Sequence, residues 1–201
     1  MDGIVVATPI EAEPFIKGLR LEAEADTKPF RIYKGGGRIL IVSGIGKVNA
    51  ALATATLILQ HRAAPIYNLG AAGALTDELK FGDIRHISAV CEHDRKLKVK
   101  PQIIKTDVLK NHVMARLATG DVPIFSPQER RALAAFAELV DMEGAAVVRS
   151  CKKYNVSAYL FKAVSDTFET TEEELMPNLE KVIEKVSESL FEYFAGKVIN
   201  V

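Results

Sequence analysis

Three acidic side chains occupy positions where proton transfer could be done. Glu11 follows the apolar run GIVVAT, Glu143 lies within DMEGAAV at a strand-to-helix junction, and Asp166 closes YLFKAVSD. A carboxyl group held beside a reacting bond can act as acid or as base. In an open α/β sheet, ligands bind beyond the carboxyl ends of the strands. Three carboxylates delivered there could meet in one cleft. Each also has a plainer reading. Glu11 and Glu143 suit the first turn of a helix, where the macrodipole favours negative charge. Asp166, next to Ser165, suits a cap or turn. Only their joint placement points to a site.

Two glycine segments add to this. SGIGK, residues 43–47, follows an apolar strand and precedes a helix, which suggests close backbone approach or an anion nest. It lacks the third glycine of a dinucleotide fingerprint and the spacing of a Walker loop. NLGAAGAL, residues 68–75, again follows an apolar run, and its small residues would admit either a ligand or a neighbouring helix. His93 and Asp94 lie in CEHDRK, but His61, His86, His93 and His112 show no HxH or HExxH spacing. No metal site is expected, and His93 reads as an ordinary polar strand end.

The elements that must position these groups alternate. GIVVAT reads as a buried strand, IEAEPFIKGL as a helix after Pro9, and RIYKGG and GRILIVSG as a strand pair around the turn Gly35 to Gly37. KVNAALATATLILQ reads as a helix packed tightly on a sheet, AAPIYNLG as a strand ending in glycine, and GDIRHISAV as a strand with a mixed face. Between 99 and 121 the pattern is ambiguous and allows a short helix around 106–116. SPQERRALAAFA is expected to be a short helix with Ser126 as cap and Pro127 at its first position. ELVDMEGAAVVRSCKKYN places a strand end near 141 and then a helix. SAYLFKAVSD has the unbroken apolar character of a strand covered on both faces. Leu179, Val182, Ile183, Val186, Leu190 and Phe194 form a helical stripe between Pro177 and Gly196, expected to cover the sheet rather than to bind anything. The whole predicts a three-layer α/β fold, one domain over residues 1–201.

Composition narrows the classes. The chain has 201 residues, 48% of them apolar, enough for a sizeable core and too apolar for disorder. Its 26 basic and 26 acidic residues cancel, leaving no global footprint for nucleic acid. Cys91 and Cys151 suit buried thiols in a reducing compartment. No stretch reaches the roughly 18 apolar residues of a membrane span, and the start MDGIVVATPIEAE does not resemble a secretory leader. No membrane partner is expected, and a cytoplasmic location is.

Taken in order, ATPIEAEPF, VSGIGKVNAALAT, NLGAAGAL, GDI, HD, ATGD, DMEGAAV and AVSD resemble the purine nucleoside phosphorylase and nucleosidase superfamily. The nearest branch is that of the hydrolases typified by methylthioadenosine/S-adenosylhomocysteine nucleosidase, with futalosine hydrolase a close relative. The pieces span residues 4–166; each is weak alone, and the ordered set is specific. The resemblance implies a mixed, strongly twisted sheet flanked by helices, a purine nucleoside as ligand, no cofactor, and a homodimer. It makes Asp166 the general acid, Glu11 the water-activating base and Glu143 the holder of the ribose hydroxyls, with Met142 against the sugar. It also places Ala71, Gly73, Ser165 and Phe125 at the substrate. The chain departs from relatives at Ala71, where they often carry serine, and in its short segments from His93 to Asp121 and from Asp121 to Glu143. The aromatic stacked on the base is left open between Phe125 and Phe136.

Chemistry sets the demands. As a C–N glycosidic bond breaks, the sugar gains positive charge and the purine negative charge. A protonated acid beside the imidazole nitrogen of the base quenches the latter. Asp166 would have to keep a proton near neutral pH, through burial or a nearby like charge. Phosphorolysis, as in purine or uridine nucleoside phosphorylases, needs cations around a phosphate. TPIEAE offers no arginine, and Lys47 is the only base in SGIGK, so hydrolysis is favoured. A nucleoside-binding protein without activity is the remaining alternative, and the acids at all three positions argue against it.

Overall fold

Unbroken apolar runs need cover on both faces, and the fold supplies it. The computed structural model describes residues 1–95 and 101–199. Its elements in chain order are β1 (Asp2–Val6), α1 (Pro9–Gly18), β2 (Glu22–Ala23), β3 (Arg31–Gly35), β4 (Arg38–Val42), α2 (Lys47–His61), β5 (Ile66–Ala74), β6 (Ile84–Glu92), β7 (Ile104–Lys105), β8 (Met114–Thr119), α3 (Pro127–Ala134), β9 (Leu139–Asp141), α4 (Gly144–Lys153), β10 (Ala158–Asp166), α5 (Glu172–Leu175) and α6 (Leu179–Lys197). The expected three-layer α/β architecture is what forms. On one face α2 and α4 bury Ala50, Ala53, Leu57, Ala145, Val147 and Val148 against the sheet. On the other, α1 and α6 bury Ala12, Phe15, Val186, Leu190 and Phe194. Each large side chain so buried contributes about 1.5–3 kcal/mol.

The sheet is mixed. β1 lies between β4 and β5, parallel to both. β5 runs parallel to β10, β10 antiparallel to β6, and β6, β8 and β9 parallel in turn. β9 then returns antiparallel onto β5, so five strands close on themselves. Strong twist is what permits such closure. It brings the carboxyl ends of β1, β5, β9 and β10 to one place.

Three expectations are corrected. No helix forms around 106–116: residues 104–105 are strand, and β8 begins at Met114. Side chains tie that segment along the sheet instead. Thr106 Oγ1 donates to the Ile87 carbonyl, Asp107 accepts from Ala158 N, and His86 Nε2 accepts from Leu109 N. Residues 99 and 100 of the ambiguous stretch lie outside the described residues. Second, β5 does not stop at Gly70 but runs on through small residues to Ala74. Third, the stripe of α6 divides: Val186, Leu190 and Phe194 are buried in the core, whereas Leu179 and Ile183 line a cavity. Among the described residues no helix is long and apolar enough to cross a membrane.

Candidate active site

Glu11 shows how the plain and the functional reading coexist. Thr8 caps α1, its Oγ1 accepting from Glu11 N at 3.2 Å. Glu11 Oε2 reaches back to accept from Thr8 N at 2.8 Å and Thr8 Oγ1 at 3.0 Å, which completes a capping box. Its Oε1 accepts from Ala71 N at 3.1 Å on the neighbouring strand. The buried carboxylate is thus fixed by α1 and β5 together, and still faces the cavity.

The small residues of β5 make room for the acids themselves. A Cβ at Gly70 would lie 2.6 Å from Glu11 Oε1, and one at Gly73 would lie 2.7 Å from Asp166 Oδ2. What approaches the NLGAAGAL backbone is therefore these carboxylates. Asp166 reaches Gly73 through a register shift: Val164 pairs with Ala72, yet Asp166 pairs with Gly73, leaving Ser165 as the extra residue. Such a bulge re-aims the side chain after it. Asp166 Oδ1 then accepts from Ser165 Oγ at 2.7 Å and Oδ2 from Arg130 Nη2 at 2.5 Å. Asp166 is buried, one of the two expected conditions, but the charge it meets is a cation. It caps no helix; Thr171 performs that service for α5.

A second cluster stands beside Glu11. Asp141 ends β9 and pairs with the buried Lys162 Nζ at 2.9 Å, and it also accepts from Thr119 Oγ1 and Gly144 N. Glu143 precedes α4 and accepts from Gly46 N at 2.8 Å. Burial, followed by the charge of Asp141, lifts the Glu143 carboxyl to about 7, against the opposing pull of Lys162 and the Gly46 amide. Burial works against the Lys162 charge, yet Asp141, Glu143 and Glu11 together hold its pKa above the ordinary lysine value. One buried cation thus serves three carboxylates.

SGIGK holds anions, but they belong to the protein. Gly46 N donates to Glu143, and Lys47 N to Asp121 Oδ1 at 2.8 Å. Lys47 Nζ pairs with Asp94 at 2.6 Å and lies 3.7 Å from Glu92 and 3.6 Å from Asp121.

All these elements surround one cavity of about 350 Å³. Every residue anticipated at the site lines it: Glu11, Ala71, Gly73, Phe125, Met142, Glu143, Ser165 and Asp166. Phe125 is there and Phe136 is not; the latter packs beside Ala137 and Val140 in a separate small core. Most of the remaining wall is apolar, with Ile45, Val122, Pro123, Ile124, Leu175, Met176, Leu179 and Ile183, and Thr8, Asp141 and Glu172 are its polar members. Sequence reasoning overlooked Asp141, Lys162 and Arg130. Lys162 did leave a signal, since a lysine inside a strand covered on both faces must find a charged partner. Arg130, in a short polar helix, left none. Among the described residues, no group of three or more His, Cys, Asp or Glu is placed to hold a metal ion.

Known proteins share this fold. The family model described as the phosphorylase superfamily matches residues 2–195. A relative from Arabidopsis thaliana, named 5′-methylthioadenosine/S-adenosylhomocysteine nucleosidase, is 32% identical, with 98% of this chain and 92% of that protein covered. The apo structure of Arabidopsis thaliana 5′-methylthioadenosine nucleosidase superposes with a TM-score of 0.86 at 26% identity, covering 98% of this chain and 93% of that one. Native futalosine hydrolase of Helicobacter pylori strain 26695 shares the fold, with a TM-score of 0.86 at 24% identity and coverage of 99% and 97%. A match that runs nearly end to end, on a sheet that gathers its acids at one end, makes this chain a member of the phosphorylase superfamily.

Proposed function

We propose that this chain is a purine nucleosidase, hydrolysing the N-glycosidic bond of 5′-methylthioadenosine/S-adenosylhomocysteine-type nucleosides to free base and sugar. The observation that carries hydrolysis over phosphorolysis is the filled anion seat. The Gly46 and Lys47 amides and the Lys47 ammonium are all engaged by Glu143, Asp121 and Asp94, so a phosphate there would meet carboxylates. The C1′–N9 bond breaks with its electron pair passing to the purine, which takes a proton from Asp166 at N7. Water attacks C1′ and gives its proton to Glu11. Glu143 accepts from the ribose hydroxyls and orients the sugar against Met142. The reaction as drawn calls for no metal or organic cofactor.

The 5′ substituent is read from the wall. Leu175, Met176, Leu179 and Ile183 offer apolar surface, and Glu172 beside them is acidic. A thioether suits this lining; a carboxylate-bearing substituent, as on futalosine, would find no Lys or Arg among the described lining residues. The test is a panel of methylthioadenosine, S-adenosylhomocysteine, futalosine, inosine and adenosine, with and without phosphate, with base and sugar products identified. Free sugar, formed at equal rates without phosphate and fastest from the thioethers, is the expected result. Sugar 1-phosphate formed only with phosphate would overturn hydrolysis, and preference for futalosine would overturn the substrate class.

The same reading makes the protein a homodimer. Val48, Leu52 and Leu59 project from α2 at 70%, 56% and 61% exposure, continuous with Ile45 at the cavity rim. A second copy burying this face accounts for it. Sedimentation at micromolar concentration is expected to give twice the 22.0 kDa chain mass. Leu52→Glu should return a monomer, whereas a monomeric wild type would refute the assembly. The two buried free thiols, Cys91 and Cys151, suit a reducing, cytoplasmic setting.

A further inference from the structure

Arg130 is a fully buried arginine with no part in the reaction as drawn. Its guanidinium gathers four acceptors from three chain segments. Nε donates to the Ile124 carbonyl at 3.0 Å, in the loop that supplies Pro123, Ile124 and Phe125 to the cavity. Nη1 donates to the carbonyls of Ala74, the last residue of β5, and of Thr167, just past β10. Nη2 donates to Asp166 Oδ2. A lysine ammonium could not span this fork.

We propose that Arg130 is a positioning residue for departure of the leaving group, acting through Asp166. This rests on the nucleosidase reading given above. Guanidinium only donates, so Oδ2 is always an acceptor. A proton carried by Asp166 is therefore confined to Oδ1, the oxygen shared with Ser165. As that proton passes to the purine, negative charge grows on Asp166 directly opposite a cation already in place. Such preorganised charge lowers the barrier, because the interaction strengthens in the transition state.

The test uses two leaving groups. A purine nucleoside such as methylthioadenosine needs its base protonated; 4-nitrophenyl β-D-ribofuranoside releases a phenolate that does not. Arg130→Lys keeps the charge and loses the fork, and Arg130→Gln keeps a donor and loses the charge. In whichever variant stays folded by its thermal midpoint, kcat on methylthioadenosine should fall about 10- to 100-fold. KM, and kcat on the nitrophenyl riboside, should each stay within about threefold of wild type. Equal losses on both substrates, or no loss on either, would overturn the role. So would the unfolding of both variants, since Arg130 would then be a structural strut. A wild type that cleaves the nitrophenyl riboside but no purine nucleoside would instead remove the nucleosidase reading, and this inference with it.

Discussion

Glu11→Gln and Asp166→Asn should each lower kcat on a purine nucleoside by about 10²–10⁴-fold, the range of a lost general base or acid. Both proteins should still fold. In Glu11→Gln the amide oxygen can serve Thr8 N or Ala71 N but not both, because the carboxylate now uses separate oxygens for them. Leaving one buried donor unpaired costs about 1–3 kcal/mol, which a stable domain survives. In Asp166→Asn the carbonyl oxygen can still accept from Arg130, though without the charge. The measurement pairs kcat with the thermal midpoint for each variant. Near-normal turnover in both would remove these residues from the chemistry, whatever cavity they line.

The largest effect on stability is expected at Lys162. Lys162→Met fits a side chain of similar reach into the same buried space but deletes the buried cation that, among the described residues, faces Asp141, Glu143 and Glu11. Breaking a buried pair from one side leaves an uncompensated charge and costs about 3–5 kcal/mol. Denaturant unfolding should show this as a lower midpoint with an unchanged slope. The deficit should depend on pH in a definite sense. The native Glu143 carboxyl titrates at about 7, against 4.5 as its ordinary value, so the folded protein holds this proton more tightly than the unfolded chain. Its contribution to stability is full below 4.5 and is lost as pH rises through about 7. Without Lys162 the carboxylates repel more strongly, so the variant should come closest to wild type in acid and fall furthest behind above neutrality. Adding Asp141→Asn should restore part of the loss. A variant as stable as wild type at pH 8 would show that the cluster does not depend on this cation.

Residue order alone determined much of this protein. Apolar runs with no polar alternation dictate strands covered on both faces, and GIVVAT and YLFKAVSD are such strands at β1 and β10. Thr8, Pro9 and Glu11 spell a capped helix start, because each supplies a local bond or a fixed torsion. Carboxylates just past strand ends are legible for the same reason, since short-range geometry places Glu11, Glu143 and Asp166 near the edge where ligands collect. The order of the motifs also pointed to the family.

Other features were decided only by tertiary structure. The closure of five strands set Asp141 against Lys162, residues 21 apart in sequence whose pairing depends on β9 and β10 both meeting β5. The buried state of Arg130 follows from three carbonyls and a carboxylate converging from distant segments, which no local pattern encodes. The stretch around 106–116 carries no decisive local pattern, and bonds to Ile87, His86 and Ala158 outweigh propensity differences of at most a few tenths of a kcal/mol per residue. Leu179 and Ile183 share a stripe with Phe194, yet α6 runs past the end of the core, so the same apolar pattern covers the sheet at one end and lines the cavity at the other. Periodicity tells which face of a helix is apolar; only the neighbours determine whether that face meets a sheet or a substrate.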